Sequence, residues 1–424
     1  MAEPLSTRRY GQTPQTLAAI QSRIRNVFVL MLENRSFDHM FAYSGIPGIR
    51  CATAQDTNLV GTTRYPSAPG APDPMSSDPG HEFKDVLYQL TGTTDPYVPG
   101  QAYPPVTNSG FAACYASSTS EGSPPDHGHV GDIMLGVDTP SQAPALYTLA
   151  TRFALCDHWF AALPGPTWPN RYFLHGASSS GLDDSPTDVE LGLWTMGEGF
   201  RYANGSIFDQ LGAGRYRIYH DETGPELGCV PQVTSIRGVH FLDCGNLDHL
   251  AEDLNAPDGY PYAYTFIEPS YGDIAASTYK GGTSQHPMDL LSGGDGLVRR
   301  VYQQIRQSPV WPHSLLIITY DEHGGFYDSV PPGRAVPPGD SQPESASRQG
   351  FDFSVRGVRV PAVVVSPWIA AGVVDHTEYD HTSVLATLEC LFELPALTAR
   401  DALANDLLHL IGDQLRDDCP EFGA

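Results

Sequence analysis

NVFVLMLENRSFDH, residues 26–39, sets an unbroken apolar run directly against a glutamate and an asparagine. A short continuous apolar run rich in β-branched residues suits a strand buried on both faces, as in a parallel sheet. Three more segments repeat the pattern. YAYTFI (262–267) leads into EPSYGD, SLLIITY (314–320) into DEHGGFYD, and VPAVVVS (360–366) into PWIAAG. Apolar residues at helical spacing fall between or after them, at 13–24, 141–153, 206–212, 294–308 and 381–394. Strands alternating with helices predict an α/β fold with a mostly parallel central sheet and helices on both faces.

The chain is expected to form one catalytic domain over residues 1–424, carrying loop-rich insertions. Residues 45–130, dense in Gly, Pro, Ser and Thr, are expected to lie over an edge of the sheet. Residues 178–260 are expected to form loops or a small cap. The 42 glycines and 37 prolines agree with many long connections.

Charge narrows the function classes. Lys and Arg total 24 against 49 Asp and Glu, for a formal net charge of −25. Such a surface repels nucleic-acid phosphates, so no nucleic-acid partner is expected. No run of 18 apolar residues is present, so no stable membrane insertion is expected either. The stretch MAEPLSTRRYGQTPQ lacks the apolar centre of a secretory signal, which makes the cytoplasm the default expectation, with export open if a leader was removed. The seven cysteines show no CxxC pair. Cys156 and Cys390 read as buried thiols, and Cys229 could pair with Cys244.

In parallel sheets, sites form in the crevice beyond the carboxyl ends of the strands. Glu33–Asn34 and Asp321–Glu322 follow two candidate strands. If those strands are neighbours, four oxygen-bearing side chains converge on one point, three of them carboxylates. Close carboxylates raise one another's pKa unless a cation neutralises them, which predicts a divalent metal ion. Hard oxygen ligands suit Ca, Mg or Mn; Zn is less favoured without a first-shell histidine, although His323 adjoins the acid pair. Taken alone, each acid pair reads more simply as a helix cap. PGPTWPNR (164–171) likewise reads alone as a stiff turn around Thr167.

In order, ENRSFDH, PGPTWPNR, SQHPMD, YDEHGGFYD and DHTEYDHTSVLATLE resemble the phosphoesterase family of bacterial C-type phospholipases and related acid phosphatases, within the alkaline-phosphatase-like superfamily. The resemblance implies an alkaline-phosphatase-like fold and a phosphate-ester substrate. It also implies metal ligation by Glu33, Asn34, Asp321 and Glu322. It sets Thr167 as nucleophile and His286 and His81 as catalytic residues lining the phosphate site. Asn170 and Arg171 would steady the turn or touch phosphate, and His323 is a further substrate-binding candidate. A threonine hydroxyl is a weak nucleophile at neutral pH, and a divalent ion is what would favour its alkoxide.

The leading expectation is therefore a metal-dependent phosphoric ester hydrolase that works through a phosphothreonine, acting as a phosphatase or phosphodiesterase. A phospholipase C acting on glycerophospholipids is the nearest alternative. Phosphoryl transfer to an alcohol and non-catalytic, metal-dependent binding are more remote ones.

Overall fold

The structure is a computed structural model that describes residues 14–119, 124–197, 199–221, 231–273, 279–341 and 347–423. Its centre is an eight-stranded sheet. The strands are β1 (Asn26–Leu32), β2 (Ala154–Cys156), β3 (Tyr216–His220), β4 (Cys244–Asn246), β5 (Tyr264–Glu268), β6 (Ser314–Tyr320), β7 (Ala362–Val365) and β8 (Val373–Asp375). They lie in the order β8-β2-β7-β6-β1-β5-β3-β4.

β1 and β6 are buried at every position, so hydrophobic residues face both sides of the sheet. Seven residues of each pair in parallel register, from Asn26 with Ser314 to Leu32 with Tyr320. That register sets the next residues, Glu33 and Asp321, side by side. β5 flanks β1 on its other side, also parallel, and ends at Glu268.

Helices cover the sheet. They include α1 (Pro14–Arg23), α2 (Phe37–Phe41), α3 (Pro144–Arg152), α4 (Thr167–Gly176), α5 (Asp188–Met196), α6 (Leu291–Arg306) and α7 (Thr382–Phe392). α3 packs with α6, and α7 packs with both α1 and α4. A core continuous from α1 through the strands to α7 holds these layers together.

Three features differ from the sequence reading. The strand at 360–366 runs antiparallel to both neighbours, because a continuous apolar pattern carries no information about direction. The helix read over 141–153 is two helices, Thr139–Gln142 and Pro144–Arg152, divided where Pro144 removes a backbone donor. Residues 178–260, expected as loops or a cap, contribute β3 and β4 to the central sheet as well as α5 outside it. Residues 45–130 carry a two-stranded hairpin and the helices Phe83–Thr91 and Phe111–Ser117, around a small separate apolar cluster. Cys229 lies outside the described residues.

Candidate active site

The β1–β6 pairing continues past the strand ends. Asp321 N donates to Leu32 O at 3.2 Å, Asn34 N to Asp321 Oδ1 at 3.2 Å, and Arg35 N to Glu322 O at 3.1 Å. Asn34 has φ of +63°, a left-handed conformation rarely seen at non-glycine residues and concentrated at functional sites. Gly324 (φ +61°) packs against it; a β-carbon there would come within 2.4 Å of Asn34 O. Glycine is what lets the two motif loops close on each other.

All four oxygen-bearing residues are buried. Among the described residues, Glu33 Oε1, Asn34 Oδ1 and Glu322 Oε1 have no hydrogen-bond partner. Burial, followed by the charge of Asp321, pushes Glu33 up to about 8, and burial takes Asp321 to about 6. Burial also works to raise Glu322, but His81, 4.0 Å away, and His323 hold it below the usual range. Orphaned buried oxygens are costly, and a cation is the partner that would satisfy them. The donor set, two carboxylates and an amide oxygen beside Asp321, therefore fits a hard divalent ion.

Thr167 opens α4 as its first residue, with Pro166 ahead of it. Asn170 ties the turn: it accepts from Leu163 N at 3.1 Å and donates to Gly165 O at 2.9 Å and Pro166 O at 3.0 Å. The start of a helix presents free N–H groups and positive potential, a suitable mount for a hydroxyl that must carry negative charge.

Arg171 is buried behind the acids, its Nε on Asp321 Oδ2 at 3.0 Å and its Nη1 on Glu268 Oε2 at 2.8 Å. His323 Nε2 meets Gln89 Oε1 at 2.7 Å, and its Nδ1 lies 3.4 Å from Glu322. Both side chains are thus engaged by protein groups.

His286 stacks on Tyr279 (3.5 Å between centroids), accepts from Met288 N through Nδ1, and turns Nε2 toward Asp78 at 3.4 Å. Burial first, with His81 and Arg35 nearby, keeps His286 well below the usual histidine range and hence neutral. Arg35 fixes the loop that carries it, donating to Gln285 O and His286 O. His81 Nδ1 donates to Pro79 O at 2.8 Å, which leaves Nε2 facing Glu322.

Glu33, Asn34, Thr167, His81 and His286 line one cavity of about 330 Å3 together with Pro166, Trp168, Leu191, Tyr271 and Tyr279. A larger cavity of about 850 Å3, with Arg201, Asp209 and Arg237 among its lining residues, contains none of these groups. A separate trio, Asp157, His158 and His376, brings ligand atoms within 4.8 Å of one another. There the Asp157 carboxylate already meets both histidine rings and Arg50 N, and Arg50 also reaches His158 Nε2.

A family model, the phosphoesterase family, matches residues 24–395. The chain belongs to the phosphoesterase family. Non-specific phospholipase C6 of Arabidopsis thaliana is 33% identical, over 94% of this chain and 75% of its own length. Phospholipase C B of Mycobacterium tuberculosis (strain H37Rv) is 27% identical, over 96% of this chain and 81% of its own. Among solved structures, the phosphonate monoester hydrolase of Agrobacterium radiobacter is similar over 92% of this chain and 78% of that one, at 11% identity and a TM-score of 0.38. This phosphoesterase is a phosphoric ester hydrolase.

Sequence reasoning passed over several groups that surround the site. Glu268 and Tyr271 sit in EPSYGD, Glu268 as the last residue of β5 and Tyr271 just beyond it, with Tyr271 donating to Glu268 at 2.6 Å. The strand-end position of that segment was the available signal. Asp78 reaches His286, and nothing local in its sequence marks that contact. His381, which its sequence position in a strand-to-helix loop left within reach of the site, donates through Nε2 to Asp321 O at 2.6 Å.

Proposed function

We propose that this phosphoesterase cleaves the phosphodiester of a glycerophospholipid through Thr167, with a divalent ion held by Glu33, Asn34, Asp321 and Glu322. The observation that carries the reading is the meeting, in one cavity, of the Thr167 residue with buried acceptor oxygens that lack partners. When bound, the ion would lower the pKa of the threonine hydroxyl and neutralise phosphate oxygens.

The side chains then have distinct tasks. Thr167 Oγ attacks phosphorus in line, its proton passes to solvent water, and the bond from phosphorus to the glycerol oxygen breaks. His81 Nε2 supplies the proton that this oxygen gains as diacylglycerol departs. Water next attacks the phosphothreonine from the vacated side, which frees the phosphorylated head group and restores the hydroxyl. Neutral His286 lines the phosphate position. Asn170, Arg171 and His323 act from behind: Asn170 fixes the turn, Arg171 aligns Asp321 and Glu268, and His323 braces Glu322.

The wall of the cavity supports this choice of substrate class. Pro166, Trp168, Leu191, Tyr271 and Tyr279 give it an apolar and aromatic side, which suits a lipid ester better than a small charged monoester. The curated relatives named above are phospholipases C. The test is a comparison of phosphatidylcholine with a soluble aryl phosphate monoester. Phosphatidylcholine is the expected better substrate, with phosphocholine as product; turnover of the aryl phosphate alone would overturn the lipid reading.

A further inference from the structure

We propose that α5, at the rim of the catalytic cavity, docks this enzyme on a zwitterionic phospholipid surface through Val189, Leu193 and Met196. The proposal rests on the phospholipid reading above and names the surface from which that substrate would come.

α5 reads DVELGLWTM. Its two sides have different neighbours. Leu191 lines the catalytic cavity, and Trp194 packs on Tyr172 of α4 (6.1 Å between centroids) and on Phe200 (5.1 Å). The inward side is thus fastened to the helix that carries Thr167. Val189, Leu193 and Met196 follow at i, i+4 and i+7, which sets them on one opposite face. They are 72%, 63% and 87% exposed. A helix apolar on both sides is ordinarily buried on both, and single exposed apolar residues are common. Three on one face, on a helix that lines a catalytic cavity, form a surface prepared for an apolar medium.

Charge chooses the kind of medium. α5 has no Lys or Arg, unlike helices that seek anionic membranes. Glu190 is committed to the helix start, accepting from Thr187, and pairs with Arg348. Asp188 stays exposed, and the whole chain carries −25. An anionic bilayer would repel such a surface, whereas a choline-headed one would not. A second copy of the chain fits less well, since three side chains fall far short of the roughly 800 Å2 per partner of a standard interface. Continuity supplies the rest. Leu191 joins the docking helix to the cavity that holds Thr167, so a lipid drawn from the surface would have a short path to the nucleophile.

The experiment uses the full chain and a V189S/L193S/M196S variant, whose altered residues lie outside the cavity. Flotation with phosphatidylcholine vesicles is measured on a Thr167→Ala background, so that the lipid stays intact. Hydrolysis is measured on the same vesicles and on a short-chain phosphatidylcholine dissolved below its micellar concentration. The variant is expected to lose about ten-fold or more in vesicle partitioning and vesicle turnover, with turnover of the dissolved lipid held within about two-fold. A Met196→Trp reporter is expected to shift its emission to the blue on phosphatidylcholine vesicles. Unchanged partitioning of the triple variant, with dissolved lipid still cleaved, would sink the docking surface alone. Tighter binding to phosphatidylserine vesicles would also overturn it, as would a dimer that the three substitutions dissolve. Failure to cleave phosphatidylcholine in any form would instead remove the phospholipid reading, and this proposal with it.

Discussion

Two buried acid clusters stand at the ends of β1 and β6, and the same two motifs supply both. ENRSFDH contributes Glu33 and Asn34 to one and Asp38 to the other; DEHGGFYD contributes Asp321 and Glu322 to the first and Asp328 to the second. In the second cluster Arg359 spans Asp38 and Asp328, with contacts of 3.0 Å to each. Asp38 also accepts from Ala52 N and Ser329, and Asp328 from Asp38 N and Val330 N. The first cluster has its own arginine, Arg171, yet keeps three orphaned oxygens among the described residues, and two of their residues, Glu33 and Asn34, line the catalytic cavity. Acidity does not separate them, for burial pushes Asp328 up to about 7 even beside Arg359. Hydrogen bonding does. A buried acid cluster with every carboxylate oxygen engaged is a clamp, and one that leaves oxygens idle is a ligand set in waiting.

The severest way to break this contrast is at the nucleophile. Thr167→Ala should reduce turnover by ~10³-fold or more, because the covalent step loses its nucleophile, while metal affinity stays near normal. Steady-state kinetics beside titration calorimetry with Mg, Mn and Ca would check it, and near-normal turnover would remove Thr167 from the mechanism. Next comes the clamp. Arg359→Met leaves two buried carboxylates without their cation and should cost about 3–5 kcal/mol of stability, read from denaturant unfolding. A smaller effect is expected at Glu322→Gln, which keeps the shape but removes a ligand charge; metal affinity should fall by ~10²-fold with little change in folding. Asp328→Asn should leave metal affinity alone. A matching loss there would erase the distinction between ligand and clamp.

How much of this was legible in the sequence depends on range. β1 and β6 could be read to the residue because continuous β-branched runs have few other homes, and the acid pairs stood out at their ends. β2, β4 and β8 are three residues each, too short to leave a pattern. The direction of β7 lies in its neighbours and not in its own residues. The clamp was invisible for a related reason: Arg359 stands 321 positions from Asp38, and no local rule pairs them. Arg171 could be placed at the nucleophile turn from its motif, but its contact with Asp321, 150 positions away, emerges only in the folded chain. The exposed face of α5 escaped notice because exposure is a property of the fold.

The mildest expected effect uses pH to weigh the clusters against each other. In metal-free protein Glu33 titrates near 8 and Asp321 near 6, against 4.5 and 3.8 for ordinary carboxyls. Burial is the first cause of both shifts, and repulsion among the acids adds to them. The folded state then holds protons that the unfolded chain has released, so the slope of stability with pH is negative. The associated stability is complete below the ordinary carboxyl range and is lost as pH rises through about 6 and about 8. Asp328, raised to about 7, adds a slope of the same sign. A saturating divalent ion favours the ionised ligands and should abolish the contribution of Glu33 and Asp321 while leaving that of Asp328. Melting temperature against pH, recorded with chelator and again with metal, should give two curves that diverge as the solution becomes more alkaline. In Asp328→Asn both curves should flatten by the same amount, with their separation kept. Parallel curves in the wild type would mean that the orphaned oxygens hold no ion.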